Sequence, residues 1–149
     1  MIREAKIEDV DVLNKLFQKL LEYERENYDD NIKEDLNINS YFNNKINQAD
    51  NIILIVEENN KIIGYIYSNI DSDNKIKKEL EASINSIYII DKYRNKKIGT
   101  KLVNEMINLL KEKNVKYVYI ENLKDNGCAK YLYGKLGFKV FREVRRSVL

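Results

Sequence analysis

A strand, a basic turn, a helix and a second strand follow one another in the second half of the sequence. The run LEASINSIYII (80–90) is apolar and β-branched, YRNKKIGTKLV (93–103) passes from a cation-rich turn into helical spacing, and KYVYIE (116–121) is a short strand. Two strands joined through a helix need a right-handed crossover and pair in parallel. We therefore predict a parallel pair between the strands near Ile84 and Val118, with Ile84, Ile87 and Ile89 as candidates for burial.

The first half predicts antiparallel structure. IREAK (2–6) reads as a short strand, and a helix begins at Glu8 or Asp9 with apolar residues at helical spacing, namely Val10, Leu13, Phe17, Leu20 and Leu21. A second helix is predicted over Ile38 to Gln48. The β-branched and aromatic runs 51–57 and 61–70 are joined by Glu58, Asn59 and Asn60, which indicates an antiparallel hairpin.

The remaining elements complete a mixed α/β order. The helix after the basic turn runs to about Lys113, capped by Asn114, and buries Ile98, Leu102, Met106, Leu109 and Leu110. A further helix, NGCAKYLYGKL, closes at Gly137, and FKVFREVRRSV (138–148) reads as a last strand. The predicted order is β-α-α-β-β-β-α-β-α-β, an α+β mixed sheet with an antiparallel first half. No repeat or linker divides the chain, so we expect a single domain over 1–149.

Composition excludes several classes of protein. The 149 residues suit one ordinary domain, which buries about two thirds of the surface of its unfolded chain. The absence of histidine excludes Ser-His-Asp triads, Cys-His dyads and most zinc sites, and the single cysteine, Cys128, excludes an internal disulfide. No apolar run approaches the ~20 residues that span a bilayer, and no signal-peptide pattern opens the chain. We expect a cytoplasmic protein with no metal ion and no membrane partner.

The net charge of +2 conceals two halves of opposite sign. Residues 1–73 carry 16 acidic and 8 basic side chains, whereas residues 74–149 carry 8 acidic and 18 basic ones. The basic half suits a polyanion. The acidic stretch suits either a cationic ligand or a solvated helix end and loop, and its members are Glu22, Glu24, Glu26, Asp29, Asp30, Glu34 and Asp35.

The basic turn itself points to an anion. A helix N-terminus is already positive, so cations gathered there are slightly unfavourable unless a negative group lies among them. Its unpaired backbone amides, together with Arg94, Lys96 and Lys97, would hold a phosphate. The alternative is a solvated basic turn.

Two motifs resemble those of the GNAT superfamily of N-acetyltransferases. The family's coenzyme motif is an Arg or Gln, then two residues, a glycine, any residue, and a second glycine or alanine. The segment IYIIDKYRNKKIGTKLV is similar to this motif. Arg94, Lys97 and Gly99 occupy its Arg/Gln, first-glycine and second-glycine positions. The segment NGCAKYLYGKLGFKV resembles the family's second motif with Asn126, Ala129, Tyr133, Gly137 and Phe138 in step. Lys97 departs from the pattern because it replaces the usual first glycine, and a left-handed backbone there is strained for a lysine.

The resemblance implies acetyl-CoA as co-substrate and direct attack of a primary amine on its thioester within a ternary complex. No enzyme nucleophile is then needed, so we expect Cys128 to be a small buried residue. The residues implied to bind the coenzyme are Ile87, Ile89, Arg94, Asn95, Lys96, Lys97, Ile98, Gly99, Thr100, Asn126 and Tyr133. The pantetheine arm pairs with the strand of Ile87 and Ile89, and the Ile89 amide holds the reacting oxygen.

The resemblance also implies an acid and a base. Tyr133 occupies the position of the tyrosine that protonates the leaving thiolate, and its alternative role is packing of the helix against the sheet. Family enzymes often carry a glutamate near the position of Ser83, and Glu81, on the same face of the strand, is the candidate base. Water or simple equilibration with the bulk solvent could instead remove the proton of the amine. Asn126 either reaches the pantetheine arm or caps its helix.

The sequence is also compatible with two other functions. The basic half could form a nucleic-acid-binding module, although the chain lacks an aromatic-rich RNA-binding signature and a helix-turn-helix pattern. The protein could also be a catalytically inactive sensor of acyl-CoA. The acceptor amine, on a small molecule or a protein, is not specified by the sequence, and a homodimer is as compatible with it as a monomer.

Overall fold

The computed structural model describes residues 1–149 and contains one five-stranded sheet with three α-helices. The strands are β1 (Ile2–Glu4), β2 (Asn51–Glu58), β3 (Lys61–Ile70), β4 (Glu81–Ile89) and β5 (Tyr117–Ile120). The helices are α1 (Val10–Asn27), α2 (Ile98–Glu112) and α3 (Gly127–Lys135), and single 3-10 turns precede α1 at Ile7–Asp9 and follow β4 at Asp91–Tyr93.

The sheet combines antiparallel and parallel pairing in the order β1-β2-β3-β4-β5. The first four strands are antiparallel, and β4 pairs in parallel with β5 from Glu81↔Tyr117 to Ile84↔Ile120. The predicted mixed α/β class and the predicted parallel pair are therefore confirmed. The hairpin between β2 and β3 turns through two residues with positive φ, Asn59 (+50°) and Asn60 (+60°), as its short connection requires.

The two long helices cover opposite faces of the sheet. On one face, α1 buries Leu13 and Leu16 beside the aromatic side chains of Tyr65, Tyr67 and Tyr88. On the other face, α2 buries a stripe at helical spacing against aliphatic residues of β2, β3 and β4, and the stripe consists of Leu102, Val103, Met106 and Leu110. Each face of the sheet therefore has its own apolar cluster, one rich in tyrosine and one aliphatic.

A β-bulge in β4 changes which side chains face each helix. Pairing with β3 shifts between Tyr67↔Ser86 and Ser68↔Ile84, which leaves Asn85 as the extra residue. Ile84 lies before the bulge and Ile87 after it, yet both pack into the aliphatic cluster. Ser86 and Tyr88 are consequently directed to the α1 face, close to the carboxyl end of the strand. Ile84 is buried as predicted, and Ile87 and Ile89 are half-buried.

The predicted helix over Ile38–Gln48 is wrong. This segment forms turns over 41–47, and a side chain of α1 takes the Phe42 amide, which a helix beginning at Ile38 would pair with the Ile38 carbonyl. The Asn14 side chain accepts a hydrogen bond from the Phe42 amide at 2.9 Å, and the Gln18 side chain accepts one from the Ile38 amide at 2.8 Å. Phe42 is thereby placed, fully buried, in the tyrosine-rich cluster.

The predicted last strand, 138–148, is also absent. Residues 139–149 are exposed and without regular structure. Arg142 lies 3.6 Å from the Glu121 carboxylate and Arg146 lies 3.3 Å from that of Asp29, so this C-terminal segment reaches from the end of β5 to the end of α1.

None of the helices combines the length and the apolar character needed to cross a membrane.

Candidate active site

Six consecutive backbone amides at the start of α2 donate no hydrogen bond. They belong to residues 95–100, and neither a carbonyl nor a side-chain oxygen accepts from any of them. The first amides of a helix lack partners within the helix, and the turn before α2 adds three more. Together they form a concentrated set of donors, suited to the oxygens of a phosphate.

The cations of this turn are arranged in two ways. Lys96 and Lys97 are exposed beside the free amides. Arg94 instead donates from Nε to the Ile89 carbonyl at 2.8 Å, and its guanidinium lies 2.9 Å from the Asp91 carboxylate. The guanidinium also lies over the ring of Tyr23 in α1, 4.9 Å from its centroid. Two of the three cations are therefore free to meet an anion, and Arg94 is held by groups of the protein.

Lys97 adopts the left-handed conformation that the sequence pattern required. Its φ is +62° at the N-cap of α2, and Asn95 has the same φ two residues earlier. A left-handed backbone costs a residue with a side chain roughly 1–2 kcal/mol. The backbone of the turn therefore follows the path of a motif with glycine at this position, and Lys97 is strained there.

Gly99 lies where the start of α2 approaches β4 and α3. A Cβ atom at this position would come within 3.4 Å of Leu132 and 3.8 Å of Ile89. Its φ is not positive, so its backbone angle would accept a side chain. The absence of a side chain at Gly99 leaves a crevice between β4 and α3 open, and a larger residue would fill this crevice.

β4 continues for five residues, 85–89, beyond its last pair with β5. The Ile90 amide donates to the Ile63 carbonyl, so alternate residues of β4 turn their backbone groups toward β3. The backbone N–H and C=O groups of Ile87 and Ile89 consequently point away from β3, toward the edge of the sheet that β5 no longer covers. The Ile89 carbonyl accepts from Arg94, and the remaining groups of this edge can pair with an extended ligand.

The helix α3 presents the second set of predicted residues. Asn126 caps it, with Oδ1 accepting from the Ala129 amide at 3.1 Å, so its Nδ2 is the atom left to reach a ligand. Gly137 ends the helix with a φ of +90°, which suits glycine. The expectation that Cys128 is buried is wrong, because it is exposed in the first turn of α3.

Tyr133 is a buried tyrosine whose environment favours the protonated hydroxyl. Its ring packs against Phe138 with centroids 6.2 Å apart. Burial raises the pKa of Tyr133 to about 12, and the negative charge of Glu24 adds to the shift. The hydroxyl therefore keeps its proton at neutral pH, as a proton donor must.

Glu81 lies at the opposite end of β4 from the basic turn. Eight residues separate it from Ile89, a distance of about 26 Å along a strand. Its carboxylate accepts a hydrogen bond from the Tyr119 hydroxyl at 2.8 Å and lies 3.8 Å from Lys77. The fold thus brings Ile89 and Gly99 close to Leu132, the residue before Tyr133 in α3, and does not bring Glu81 to them.

Sequence reasoning missed two carboxylates near the site. Glu121 follows β5 directly and lines a cavity of about 130 Å³ where β4 and β5 part, together with Ser83, Ile84, Asn85, Tyr119 and Arg142. Glu24 lies at the end of α1, where its charge acts on Tyr133. The sequence pattern placed Glu24 only within a general acidic stretch, because the packing of α1 against β4 is a tertiary property.

Comparison with known proteins agrees with this arrangement. The family model described as the acetyltransferase (GNAT) family matches residues 13–138. An N-alpha-acetyltransferase of Sulfurisphaera tokodaii is 29% identical over 150 residues, which cover 97% of this chain and 83% of that protein.

A second relative covers less of the chain. The ribosomal protein bS18-alanine N-acetyltransferase of Haemophilus influenzae is 33% identical over 95 residues, 63% of this chain and 60% of that protein. Among solved structures, a predicted acetyltransferase from Clostridium acetobutylicum, crystallised with acetyl-CoA, superposes with a TM-score of 0.78 at 24% identity. That match covers 99% of this chain and 95% of the other.

Proposed function

The chain belongs to the GNAT family of acetyltransferases, and we propose that it transfers an acetyl group from acetyl-CoA to the N-terminal α-amine of a polypeptide. One observation carries the coenzyme part of this proposal: residues 95–100 offer six unpaired amides beside Lys96 and Lys97. A pyrophosphate supplies the oxygens and the negative charge that these groups lack. The structural neighbour from Clostridium acetobutylicum holds acetyl-CoA, which supports the same ligand.

The unpaired edge of β4 supports the position of the pantetheine arm. An extended arm carrying amide groups can pair with the backbone of Ile87 and Ile89 as an additional strand would. Asn126 offers Nδ2 from the facing α3, and Gly99 leaves space between the two elements. The Ile89 amide is then placed to donate to the carbonyl oxygen as negative charge develops there.

In the proposed reaction, the amine nitrogen forms a bond to the carbonyl carbon and the carbon–sulfur bond breaks. Tyr133 gives its proton to the departing thiolate, and the ammonium loses a proton to a carboxylate or to water. Glu81, the base that the resemblance implies, lies at the far end of β4 and does not reach this nitrogen directly, so it could take the proton only through a relay. Its carboxylate accepts from the Tyr119 hydroxyl, and Tyr119 lines the cavity between β4 and β5, where such a relay would begin.

The acceptor is inferred from the relatives. One is an N-alpha-acetyltransferase, and the other acetylates an alanine of a ribosomal protein. Alanine has no side-chain nitrogen, so both names describe acetylation of a backbone α-amine. The acidic end of α1 suits such a cationic acceptor.

A coenzyme-release assay tests the proposal. Acetyl-CoA is supplied with a peptide bearing a free N-terminal alanine, with the same peptide blocked at its N-terminus and carrying one lysine, and with a polyamine. We expect turnover with the free α-amine and little with the blocked peptide. Preference for the lysine peptide or the polyamine would overturn the proposed acceptor.

The rival functions give different results in related experiments. Binding of acetyl-CoA raises the melting temperature by mass action, and no shift at millimolar concentration would contradict the coenzyme site. A shift without turnover on any amine would indicate a sensor. Steeply salt-dependent binding to RNA or DNA, without an effect of acetyl-CoA, would indicate a nucleic-acid-binding module.

A further inference from the structure

The cavity between β4 and β5, of about 130 Å³, lies on the face of the sheet opposite α2. Pairing of the two strands ends at Ile84↔Ile120, and both of these residues pack into the aliphatic cluster under α2. Ser83 and Tyr119 form the preceding pair, so their side chains lie next to each other on the opposite face, where they line the cavity. The cavity therefore has a floor of sheet side chains at the end of the parallel pair.

Two groups suited to a cation line this cavity. The Tyr119 ring is held by its hydroxyl, which donates to the Glu81 carboxylate at 2.8 Å. The Glu121 carboxylate follows two residues later and lines the same cavity. An aromatic face and a carboxylate each attract a cation. Because the Tyr119 hydroxyl is already engaged by Glu81, the ring is the part of Tyr119 that is left for a ligand.

A cation of the protein itself lies between these two groups. The Arg142 guanidinium is 5.8 Å from the centroid of the Tyr119 ring and 3.6 Å from the Glu121 carboxylate. The preceding residue, Phe141, packs against the same ring, with centroids 5.5 Å apart. The ring and the carboxylate therefore form a cation site, and the cation that occupies it belongs to the C-terminal segment.

Arg142 is held weakly in this position. The side chains of Arg142 and Glu121 are 63% and 80% exposed, and an exposed ion pair contributes little to stability. No backbone hydrogen bond ties residues 139–149 to the rest of the protein. A competing cation can therefore displace Arg142 without disturbing the sheet.

The cavity beside Arg142 has room for a second cationic group. A cavity holds one water molecule from about 10–15 Å³ upward, so 130 Å³ accommodates a group of several heavy atoms, such as a guanidinium. A ligand can consequently enter beside Arg142 before Arg142 leaves. Repulsion between the two like charges then favours departure of Arg142 into solvent.

We propose that the Tyr119 ring and the Glu121 carboxylate form a subsite for a basic side chain of the acceptor polypeptide, and that Arg142 occupies this subsite until the acceptor displaces it. The inference rests on the proposed function and deepens it, because it adds a requirement for the residues that follow the acetylated amine. Arginine suits the subsite better than lysine, since a planar guanidinium stacks on an aromatic ring while its N–H groups donate to a carboxylate.

The distance to the coenzyme site determines which acceptor residue binds in the subsite. Asn85 lines the cavity and begins the unpaired edge of β4, and Ile89, proposed to hold the reacting carbonyl, lies four residues farther, about 13 Å along the strand. An extended polypeptide spans this distance in about four residues, and the basic side chain adds its own length. The subsite therefore binds a basic residue at about positions two to five of the acceptor.

Pairs of peptides that differ only in charge test this assignment. Each begins with a free N-terminal alanine and carries, at one of positions two to five, either arginine or citrulline, which has nearly the same shape without the charge. Binding to the enzyme–coenzyme A complex is measured by calorimetry. At one position or more, we expect wild type to bind the arginine peptide roughly 3- to 10-fold more tightly than its citrulline partner. In Glu121→Gln this preference falls below about twofold.

Asp125→Asn is the matched control for Glu121→Gln. It removes an exposed carboxylate from the same connection between β5 and α3, but Asp125 does not line the cavity. The control should retain the preference for arginine. No preference of wild type at any position, or equal losses in the two variants, would overturn the subsite. Failure of wild type to bind coenzyme A, or to acetylate any of the peptides, would instead overturn the proposed function.

Removal of Arg142 gives a test in the opposite direction. Arg142→Ala vacates the subsite, so the arginine peptide should bind about 2- to 5-fold more tightly, while the affinity for the citrulline peptide stays the same. Arg145→Ala is the control, because it removes the same charge from a side chain that pairs with Glu143 instead. An equal gain in both variants, or weaker binding of the arginine peptide by Arg142→Ala, would show that Arg142 does not compete with the acceptor.

Discussion

Tyr131 and Tyr133 lie two residues apart on α3 and have opposite environments. Tyr133 is 8% exposed, with its ring against Phe138, whereas Tyr131 is 72% exposed. The same helix therefore provides a candidate proton donor and a control for it. The sequence alone could not separate a catalytic role of Tyr133 from a packing role, and burial fits either.

Removal of the Tyr133 hydroxyl should lower the rate while the protein stays folded. We expect Tyr133→Phe to lose roughly 10²- to 10⁴-fold in kcat when chemistry is rate-limiting, because the thiolate then departs without a proton. Acetyl-CoA affinity should change little. Tyr131→Phe should retain nearly full activity in the same coenzyme-release assay.

An acyl donor with a more acidic thiol distinguishes the two roles of Tyr133. Such a thiol leaves readily without protonation, so it should partly restore the rate of Tyr133→Phe if the donor still binds. Nearly full activity of Tyr133→Phe with acetyl-CoA would show that water or another group protonates the thiolate. The assignment of the family would not be affected by that result.

Gly99→Val should weaken coenzyme binding more than it destabilises the fold. The added side chain enters the crevice beside Leu132 and Ile89, where the pantetheine arm is proposed to lie. We expect at least a tenfold rise in the Kd of acetyl-CoA by calorimetry, equivalent to about 1.4 kcal/mol. Gly134→Ala, in α3 with open space around its Cα, is the control and should leave Kd unchanged. A folded Gly99→Val protein with normal affinity would remove this crevice from the coenzyme site.

Lys97 offers a test of backbone strain in the coenzyme turn. Replacement by glycine relieves the cost of its left-handed conformation but adds flexibility to the unfolded chain, so Lys97→Gly should stabilise by at most about 1 kcal/mol. Lys97→Val removes the same charge and places a β-branched residue at positive φ, so it should be less stable than Lys97→Gly by at least about 1 kcal/mol. Equal stability of the two variants in urea unfolding would contradict the left-handed assignment.

Glu24 predicts a specific dependence of stability on pH. The pKa of Glu24 in the folded protein is raised above the unfolded value of about 4.3, so the folded protein binds this proton more tightly than the unfolded chain does. The free energy of unfolding therefore falls as pH rises from the unfolded pKa to the folded pKa. Glu24→Gln should therefore have a higher melting temperature than wild type at pH 7 and nearly the same one near pH 3.5. Glu26→Gln should show no such difference, and an equal gain at both pH values would indicate that burial of the Glu24 charge is not the cause.

The elements with the strongest local pattern were predictable from the sequence. The hairpin, the parallel pair and the helix after the basic turn each combine a clear apolar period with turn residues such as Asn59 and Asn60. The coenzyme turn was predictable because its charges and its glycine are adjacent in the chain. The family pattern has a glycine at the position of Lys97, which indicated a left-handed backbone there, and Lys97 does have a positive φ.

Features that depend on tertiary partners were not predictable. The segment 38–48 has apolar residues at helical spacing, but its many Asn residues favour helix weakly, and amides captured by Asn14 and Gln18 decide its path. In the C-terminal segment, Val140, Val144 and Val148 recur every four residues rather than every two, and its contacts with Glu121 and Asp29 are exposed ion pairs rather than a sheet ladder. The position of Glu24 likewise follows from the packing of α1, which no local pattern records.

The unpaired edge of β4 links aggregation of the protein to binding of its proposed co-substrate. An exposed strand edge is a template for any extended chain, including a strand of a second molecule, and residues 85–89 present such an edge next to apolar side chains. A bound pantetheine arm would cover the same backbone groups. If acetyl-CoA binds as proposed, protein kept without it should therefore aggregate sooner than protein saturated with it.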